Sequence, residues 1–200
     1  MITIPANKLA AVALAVSTEA ARYYLQGVFV EASHDKVTMT ATNGHILLTA
    51  HVETQTPDPF SIIVPAETIA LACKSMKGFD IELGRTADQF KLGNISFSPI
   101  DGTFPDWRSF VPKAVPAESS VDGIWYSSQY LSVMAKAAKL LGWRTGEGTL
   151  GDGFFVYPDA GNPALVQFRD VPDLIGVVLP VRAPKERFTV PAWTKKPHNS

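Results

Sequence analysis

The sequence predicts an α+β protein assembled from three copies of one unit, in which a strand and a helix are followed by three more strands. Two observations carry this prediction. First, a short apolar run, a residue that suits a helix start and a helical pattern recur three times in the same order. Second, the helix-starting residues are evenly spaced, because Pro65 follows Pro5 by sixty residues and Ser127 follows Pro65 by sixty-two. Pro is favoured at the first helical position and Ser at the N-cap.

The elements of each unit follow from local patterns in chain order. Apolar residues such as Leu9, Val12 and Val16 recur at helical spacing, and Tyr130 and Met134 do the same in the third unit. Gly, Asn, Asp and Pro separate the later apolar runs, as hairpins require. The expected helices continue to residues 16, 76 and 141, and the expected strands cover residues 2–4, 28–31, 37–40, 47–50, 62–64, 80–83, 89–92, 95–97, 124–126, 153–156, 164–168 and 174–180.

Three segments of unequal size are expected from this repeat. Residues 1–115 hold two units and predict one α+β domain with its helices on one face of the sheet. A stretch rich in Pro, Ala and Ser, residues 112–120, predicts a linker, and residues 116–183 then form half of a second such domain that stands alone. Residues 184–200 are basic and rich in Pro, which predicts a flexible tail.

Composition excludes several classes of protein. The chain is 46% hydrophobic and 18% charged, which is typical of a packed globular protein. A net charge of −1 excludes a generally basic nucleic-acid coat protein but permits a local basic face. The single Cys73 excludes an internal disulfide and a multi-cysteine zinc site, and it is expected to be a small buried residue. The sequence shows neither a signal peptide nor a membrane-spanning run, so a cytoplasmic protein is expected.

Catalytic and cofactor motifs are not found. The four histidines lack metal-ligand spacing, and the glycine-rich segment 142–153 matches neither phosphate-loop pattern. His45 follows Asn43-Gly44, which predicts a turn between two strands. The prediction is a protein that is not an enzyme and holds no cofactor or metal. An enzyme that uses His45 and a nearby carboxylate stays open as an alternative without a supporting constellation.

Several short motifs together resemble one family. They are found at residues 18–28 (TEAARYYLQGV), 41–47 (ATNGHIL), 63–65 (IVP), 100–108 (IDGTFPDWR), 162–166 (NPALV) and 177–182 (VVLPVR). In this order and on the predicted repeat, they resemble the bacterial DNA polymerase III beta subunit, the sliding clamp family. The resemblance covers the family's central domain and the last half of its third domain, and therefore implies a clamp-like fold. Closure of the family's two-chain ring does not carry over, although three units a chain would allow four chains to form a twelve-unit ring.

The resemblance implies a groove that binds short linear peptides of DNA polymerases or other replication and repair proteins. Such a groove is concave and largely apolar, so that it can anchor Leu or Phe side chains. Ile46 and Ser109 stand where the family commonly has Arg, which removes two cations from the expected groove. The implied groove residues are Leu25, Thr42, Gly44, His45, Leu47, Pro105, Phe110, Tyr130, Val177, Val178, Leu179, Pro180 and Val181. Ordinary core and interface positions are the alternative interpretation of this set.

Contact with double-stranded DNA is the second expectation that the resemblance brings. Arg22, Tyr23 and Tyr24 correspond to a clamp loop that touches DNA, and basic residues on the helices would line a positive inner face. Those basic residues are Lys74, Lys77, Lys136, Lys139 and Arg144. A solvated helix face is the alternative interpretation of the lysines.

The resemblance implies a replication accessory protein of the sliding-clamp kind, which binds partner peptides and tethers them on DNA. The alternative is a shortened clamp paralogue that occupies partner peptides without encircling DNA, as a competitor or regulator. A homo-oligomer is expected, because an unpaired edge strand at the half domain favours self-association.

Overall fold

A computed structural model describes residues 1–56, 58–74, 78–86, 89–114, 124–141, 153–158, 161–169 and 171–182. In these residues the helices are α1 (Ala6–Val12), α2 (Ala66–Cys73) and α3 (Ser128–Leu140). The strands are β1 (Ile2–Pro5), β2 (Gly27–Ala32), β3 (Lys36–Thr42), β4 (Ile46–Glu53), β5 (Phe60–Pro65), β6 (Asp80–Arg85), β7 (Phe90–Leu92), β8 (Ile95–Phe97), β9 (Phe154–Tyr157), β10 (Ala164–Phe168) and β11 (Leu174–Val178). Short 3₁₀ turns cover Ala13–Ala15, Ala20–Leu25 and Trp107–Phe110. The expected basic tail, residues 184–200, lies outside the described residues.

The first two units exchange their opening strands. β1, which opens the first unit, pairs with β6 of the second unit, and β5, which opens the second unit, pairs with β2 of the first. The two unit breaks are therefore equivalent in the structure as well as in the sequence. One sheet has the order β1-β6-β7-β8, and the other contains β5-β2-β3-β4.

The third unit extends the larger sheet. β11 pairs antiparallel with β4, which gives a seven-stranded sheet in the order β5-β2-β3-β4-β11-β10-β9. The long β4 offers an edge to which β11 can bond, so the expected half domain is joined to the first two units by main-chain pairing. The strand expected at residues 124–126 is reduced to a single bridge between Trp125 and Val181.

Successive side chains of each strand point to opposite faces of the sheet, and apolar residues form a layer on each face of the larger sheet. On the inner face, Met39, Leu48 and Leu174 pack with Leu9 of α1 and Met134 of α3, and all of them are fully buried. α1 packs against both α2 and α3. This main core therefore joins all three units.

Glycine and an ion pair adapt the third unit to this core. A Cβ on Gly176 of β11 would lie 2.9 Å from the sulfur of Met134 and 3.1 Å from the Cβ of Val166, so glycine lets Met134 of α3 pack closely on the sheet. The Lys8 ammonium of α1 pairs with the carboxylate of Asp173, just before β11.

Candidate functional site

A second, smaller apolar layer covers the outer face of the larger sheet. It contains Leu25, Leu47 and Val177, together with Ile63, Phe104 and Trp107, and is called the outer cluster below. Leu47 of β4 lies directly opposite Val177 of β11 in the strand pair. The fold thus brings three of the expected groove residues together, and each is only 3–4% exposed.

Residues 100–111, called the strap below, pack on the outer face, and their Phe104 and Trp107 side chains form part of this cluster. The strap is fixed at its start by the Ile100 N–H, which donates to the Ile63 carbonyl at 2.9 Å. The Phe104 ring stacks on Phe29 with centroids 4.9 Å apart. The hydrogen bond joins the strap to the main chain of β5, which is the end strand of the sheet, whereas the stacking lies on the face of β2 that points away from the helices.

Glu31 of β2 holds the middle of the strap. The Trp107 Nε1–H donates to Glu31 Oε2 at 2.9 Å, and the Arg108 guanidinium donates to both carboxylate oxygens at 3.1 Å. The same guanidinium lies 4.3 Å from the Trp107 ring centroid. Sequence reasoning missed Glu31 and Trp107 as site residues. The alternation of Val28 and Val30 with Glu31 was the available signal that Glu31 lies on the outer face.

The turn between β3 and β4 presents His45. Thr42 Oγ1 donates to the Ile46 carbonyl at 2.7 Å and accepts the Gly44 N–H at 3.1 Å. Asn43 Oδ1 accepts the N–H groups of His45 and Ile46 at 2.9 and 3.0 Å. Gly44 has φ +88°, which favours glycine at this position. The turn is therefore fixed by its own side chains, and the exposed His45 ring has a defined place.

His45 joins residues of the third unit at the edge of the outer cluster. Its ring stacks on Tyr130 of α3 with centroids 5.3 Å apart, and its carbonyl accepts the Leu179 N–H at 2.9 Å. Beyond Leu179, the Val181 N–H donates to the Trp125 carbonyl at 2.8 Å. His45, Tyr130, Leu179, Pro180 and Val181 form a continuous border that is called the rim below. The rim is half-buried to exposed, whereas the cluster beside it is buried.

The other expected groove residues are divided between surface and core. Phe110, at the end of the strap, is 51% exposed, and Pro105 is half-buried. Val178 does not belong to the outer face, because it alternates with Val177 and lies fully buried in the main core. Ile46 also packs in the main core, and Ser109 Oγ donates to the Asp106 carbonyl at 2.6 Å. Neither position supplies a cation to the outer face.

Arg22 supports the turn that carries His45. Its Nη1–H donates to the Asn43 carbonyl at 3.3 Å, and its Nε lies 3.3 Å from the Glu19 carboxylate. The rings of Tyr23 and Tyr24 meet edge to face at 5.7 Å. Tyr23 is 52% exposed, while Tyr24 packs against the outer cluster. Of the three expected DNA contacts in this segment, Tyr23 is the most accessible.

The expected cationic residues on the helices are exposed where the structure describes them. These are Lys74 at the end of α2 and Lys136 and Lys139 on α3. Lys77 and Arg144 lie outside the described residues. Within the described part of the chain, no three His, Cys, Asp or Glu residues are grouped so that they could hold a metal ion. No helix there is both long enough and apolar enough to cross a membrane.

Comparison with known proteins decides the family. A family model described as the DNA polymerase III beta subunit, central domain, matches residues 4–106, which is just over half of the chain. The chain belongs to the sliding clamp family. This confirms the resemblance seen in the sequence motifs. Sliding clamps are not enzymes, so the prediction of a non-enzymatic protein is also confirmed and the hypothesis of a catalytic His45 is set aside.

Comparison with individual sliding clamps shows how much of their length this chain matches. The beta sliding clamp of Caulobacter vibrioides is 34% identical over 115 residues, which cover 50% of this chain and 30% of that protein. The clamp of Escherichia coli K12 is 29% identical over 99 residues, which cover 46% of this chain and 27% of its own. The chain therefore matches less than a third of the length of these relatives.

Solved clamp structures confirm the fold over a larger part of the chain. A C. crescentus beta sliding clamp superposes with a TM-score of 0.66 at 20% identity, covering 91% of this chain and 65% of that one. The beta subunit from Pseudomonas aeruginosa gives a TM-score of 0.65 at 17% identity, covering 92% and 67%. The expected α+β clamp-like fold is confirmed to that extent, with the third unit included in the superposition.

Proposed function

We propose that this sliding-clamp family protein binds short linear peptides of DNA polymerases or other replication and repair proteins at the rim. One observation carries the proposal. The pairing of β4 with β11 brings His45 of the first unit beside Leu179 and Tyr130 of the third. His45 and Leu179 each lie two residues from a member of the outer cluster, Leu47 and Val177, whereas Tyr130 packs against the main core. Apolar and aromatic surface with a few fixed polar groups is what an extended peptide with apolar anchors requires.

The rim rather than the cluster is the proposed contact surface. Leu25, Leu47 and Val177 are buried in the outer cluster, so their part is to support the rim from below. A Leu or Phe of the peptide would pack against Leu179 and the stacked His45 and Tyr130 rings. Full burial of one such side chain contributes about 1.5–3 kcal/mol.

A titration of a synthetic peptide tests the proposal. The probe is a fluorescein-labelled extended peptide that carries one Leu and one Phe, and its partner peptide has Ala at both positions. Leu179→Asp introduces a charge into the apolar rim, so we expect anisotropy to show affinity for the Leu/Phe peptide at least about tenfold weaker, equivalent to about 1.4 kcal/mol. Leu71→Asp is the matched control, since Leu71 is 64% exposed on α2, away from the rim.

The outcome against the proposal is equally defined. If Leu179→Asp keeps its native circular dichroism and binds the Leu/Phe peptide as well as the unaltered chain does, the rim is not the binding site. If the Ala peptide binds as well as the Leu/Phe peptide, the apolar anchors are not what the protein recognises.

We also propose that the bound partner is tethered on double-stranded DNA. Exposed Tyr23 and the exposed lysines of α3 offer aromatic and cationic contacts to a duplex. The alternative is that the chain occupies partner peptides without encircling DNA. Polymerase stimulation on primed circular DNA that is lost on linearisation supports tethering. Inhibition that added full-length clamp relieves supports the alternative.

A further inference from the structure

The rim carries exposed apolar surface at the point where the chain continues beyond it. Val181 is the last rim residue, and the described residues end at Arg182. Val181 is 40% exposed, and Trp125, whose carbonyl accepts the Val181 N–H, is 48% exposed. Adjacent exposed apolar side chains bordered by polar groups are typical of a contact surface. Residues 183–200 follow directly from this surface.

The rim offers side chains rather than main-chain groups to an occupant. The Leu179 N–H already donates to the His45 carbonyl at 2.9 Å, and the Val181 N–H donates to the Trp125 carbonyl at 2.8 Å. Pro180 between them has no N–H. An occupant is therefore held by its own apolar side chains, and an extended segment with such residues at short spacing meets this requirement.

Residues 184–200, called the tail below, contain a segment of this kind in their sequence. Phe188, Val190 and Trp193 lie within six residues, 188–193, that carry no charge. Prolines at positions 184, 191 and 197 favour an extended backbone over a helix. The tail therefore combines apolar anchors with extended character, which are the features proposed above for partner peptides.

The tail and the rest of the chain carry opposite net charges. The charged residues of the tail are Lys185, Glu186, Arg187, Lys195 and Lys196, which give a net charge of +3. The whole chain has a net charge of −1, so residues 1–183 carry −4. Attraction between these opposite charges favours a tail that lies against the protein over one that extends away from it.

The tail is long enough to return to the rim. Leu179 precedes Arg182 by three residues, which is about 10 Å of extended chain. Phe188 follows Arg182 by six residues, and a flexible segment of that length has a root-mean-square span of about 13 Å. Tethering over such a distance gives an effective concentration in the millimolar range. A segment that binds weakly as a free peptide is therefore an effective competitor when it is attached.

We propose that the tail of this chain docks on the rim through Phe188 and Trp193 and competes there with partner peptides. This inference rests on the proposed function, since it names a regulator of the same site. A tail whose free-peptide Kd is about 0.1 mM occupies the rim for about nine-tenths of the time at an effective concentration of about 1 mM. The apparent affinity for a partner peptide is then about tenfold weaker than that of the open rim. The tail thereby excludes peptides that have weaker anchors.

Peptide titration with variants of the full chain is the first test. Phe188→Ser with Trp193→Ser removes both anchors of the tail, so we expect its affinity for the fluorescein-labelled Leu/Phe peptide to be about tenfold stronger than that of the unaltered chain. Leu71→Ser with Phe79→Ser is the matched control, because it removes two apolar side chains that are 64% and 66% exposed elsewhere on the protein. The control is expected to leave the affinity unchanged. Equal affinities of the tail variant and the unaltered chain overturn the competition.

A spin label on the tail tests docking without any peptide. Thr194→Cys, in a chain that also carries Cys73→Ala, places the label next to Trp193. We expect the amide resonances of His45 and Leu179 to broaden more than that of Leu71, and an excess of the Leu/Phe peptide to restore them. In a mixture of spin-labelled chains with separate ¹⁵N-enriched chains, this broadening should be absent. Equal broadening in the mixture assigns the rim to the tail of a second copy, and no broadening at the rim in either sample leaves it without the tail; each result overturns the proposal.

The two tests together separate this inference from the proposed function. If the Leu/Phe peptide binds but neither the tail variant nor the spin label connects the tail with the rim, the inference is overturned and the proposed function stands. If the spin label broadens the rim resonances but no chain binds the Leu/Phe peptide, docking of the tail is supported, whereas the proposed function and the competition are refuted.

Discussion

Replacing Glu31 by Ala tests whether the Glu31 carboxylate holds the strap on the sheet by accepting hydrogen bonds from Trp107 and Arg108. The Glu31 carboxylate accepts the Trp107 Nε1–H at 2.9 Å and two Arg108 N–H groups at 3.1 Å. Trp107 is 9% exposed, so its N–H has little access to water if the acceptor is removed. Arg108, whose side chain is 57% exposed, can turn to solvent instead. Loss of the acceptor should therefore cost more free energy at Trp107 than at Arg108.

The magnitudes follow from this difference in exposure. A buried donor left without its acceptor costs about 1–3 kcal/mol. An exposed ion pair contributes about 0.2–1 kcal/mol. We therefore expect Glu31→Ala to lower the free energy of unfolding by about 2 kcal/mol, mainly through Trp107. Arg108→Ala removes the ion pair and the contact of the guanidinium with the Trp107 ring but leaves the Trp107 hydrogen bond, so about 1 kcal/mol is expected. Glu31→Gln keeps an acceptor for the Trp107 N–H, so its decrease in the free energy of unfolding should lie between those of Glu31→Ala and Arg108→Ala.

Urea unfolding followed by circular dichroism measures the three variants against the unaltered chain. The double variant Glu31→Ala with Arg108→Ala completes a cycle, whose coupling energy isolates the ion pair. An equal decrease in the free energy of unfolding for Glu31→Ala and Arg108→Ala would falsify the claim that the Trp107 hydrogen bond accounts for most of the effect. So would a coupling energy as large as the whole effect of Glu31→Ala.

Two further predictions concern the thiol and DNA. Burial raises the pKa of Cys73 from 9.0 to about 11, so its stabilising contribution is complete below pH 9 and is lost as pH rises toward 11. In Cys73→Ala, the urea midpoint should fall less steeply with pH between pH 9 and 11. An unchanged pH dependence of the midpoint contradicts a raised pKa for Cys73. Duplex binding should weaken with salt, and Lys136→Gln with Lys139→Gln should lower the log–log salt slope by about 0.9 for each lysine. Lys113→Gln is the control, and salt-independent binding argues against phosphate contacts.

Most elements of the fold could be predicted from local sequence. Strand alternation and the Pro5 and Pro65 breaks place β1 to β8 within a few residues of the observed bounds. The first helix is shorter than expected. α1 ends at Val12, and the next three residues, Ala13–Ala15, form a 3₁₀ turn. The last strand ends at Val178 rather than residue 180, where Pro180 has no N–H to donate. Local patterns contain this information because it concerns neighbours in the chain.

Sheet order could not be predicted in the same way. Nothing in the residues near β11 shows that its partner is β4, which lies more than a hundred residues earlier in the chain. The placement of Val178 follows from that pairing, because the register fixes Val177 on the outer face and sends Val178 to the main core. The same limit applies to Glu31, whose role depends on a strap that returns across the sheet after some seventy intervening residues.

The third unit links the candidate site to the rest of the protein. Tyr130 and Leu179 belong to this unit, whereas His45 belongs to the first, so the rim exists only while β11 is paired with β4. The Lys8–Asp173 ion pair and the fit of Met134 over Gly176 hold the same unit in place. A peptide that binds across the rim therefore binds only the docked arrangement, and its apparent affinity falls with the docked fraction. By the same linkage, peptide binding stabilises the docked third unit.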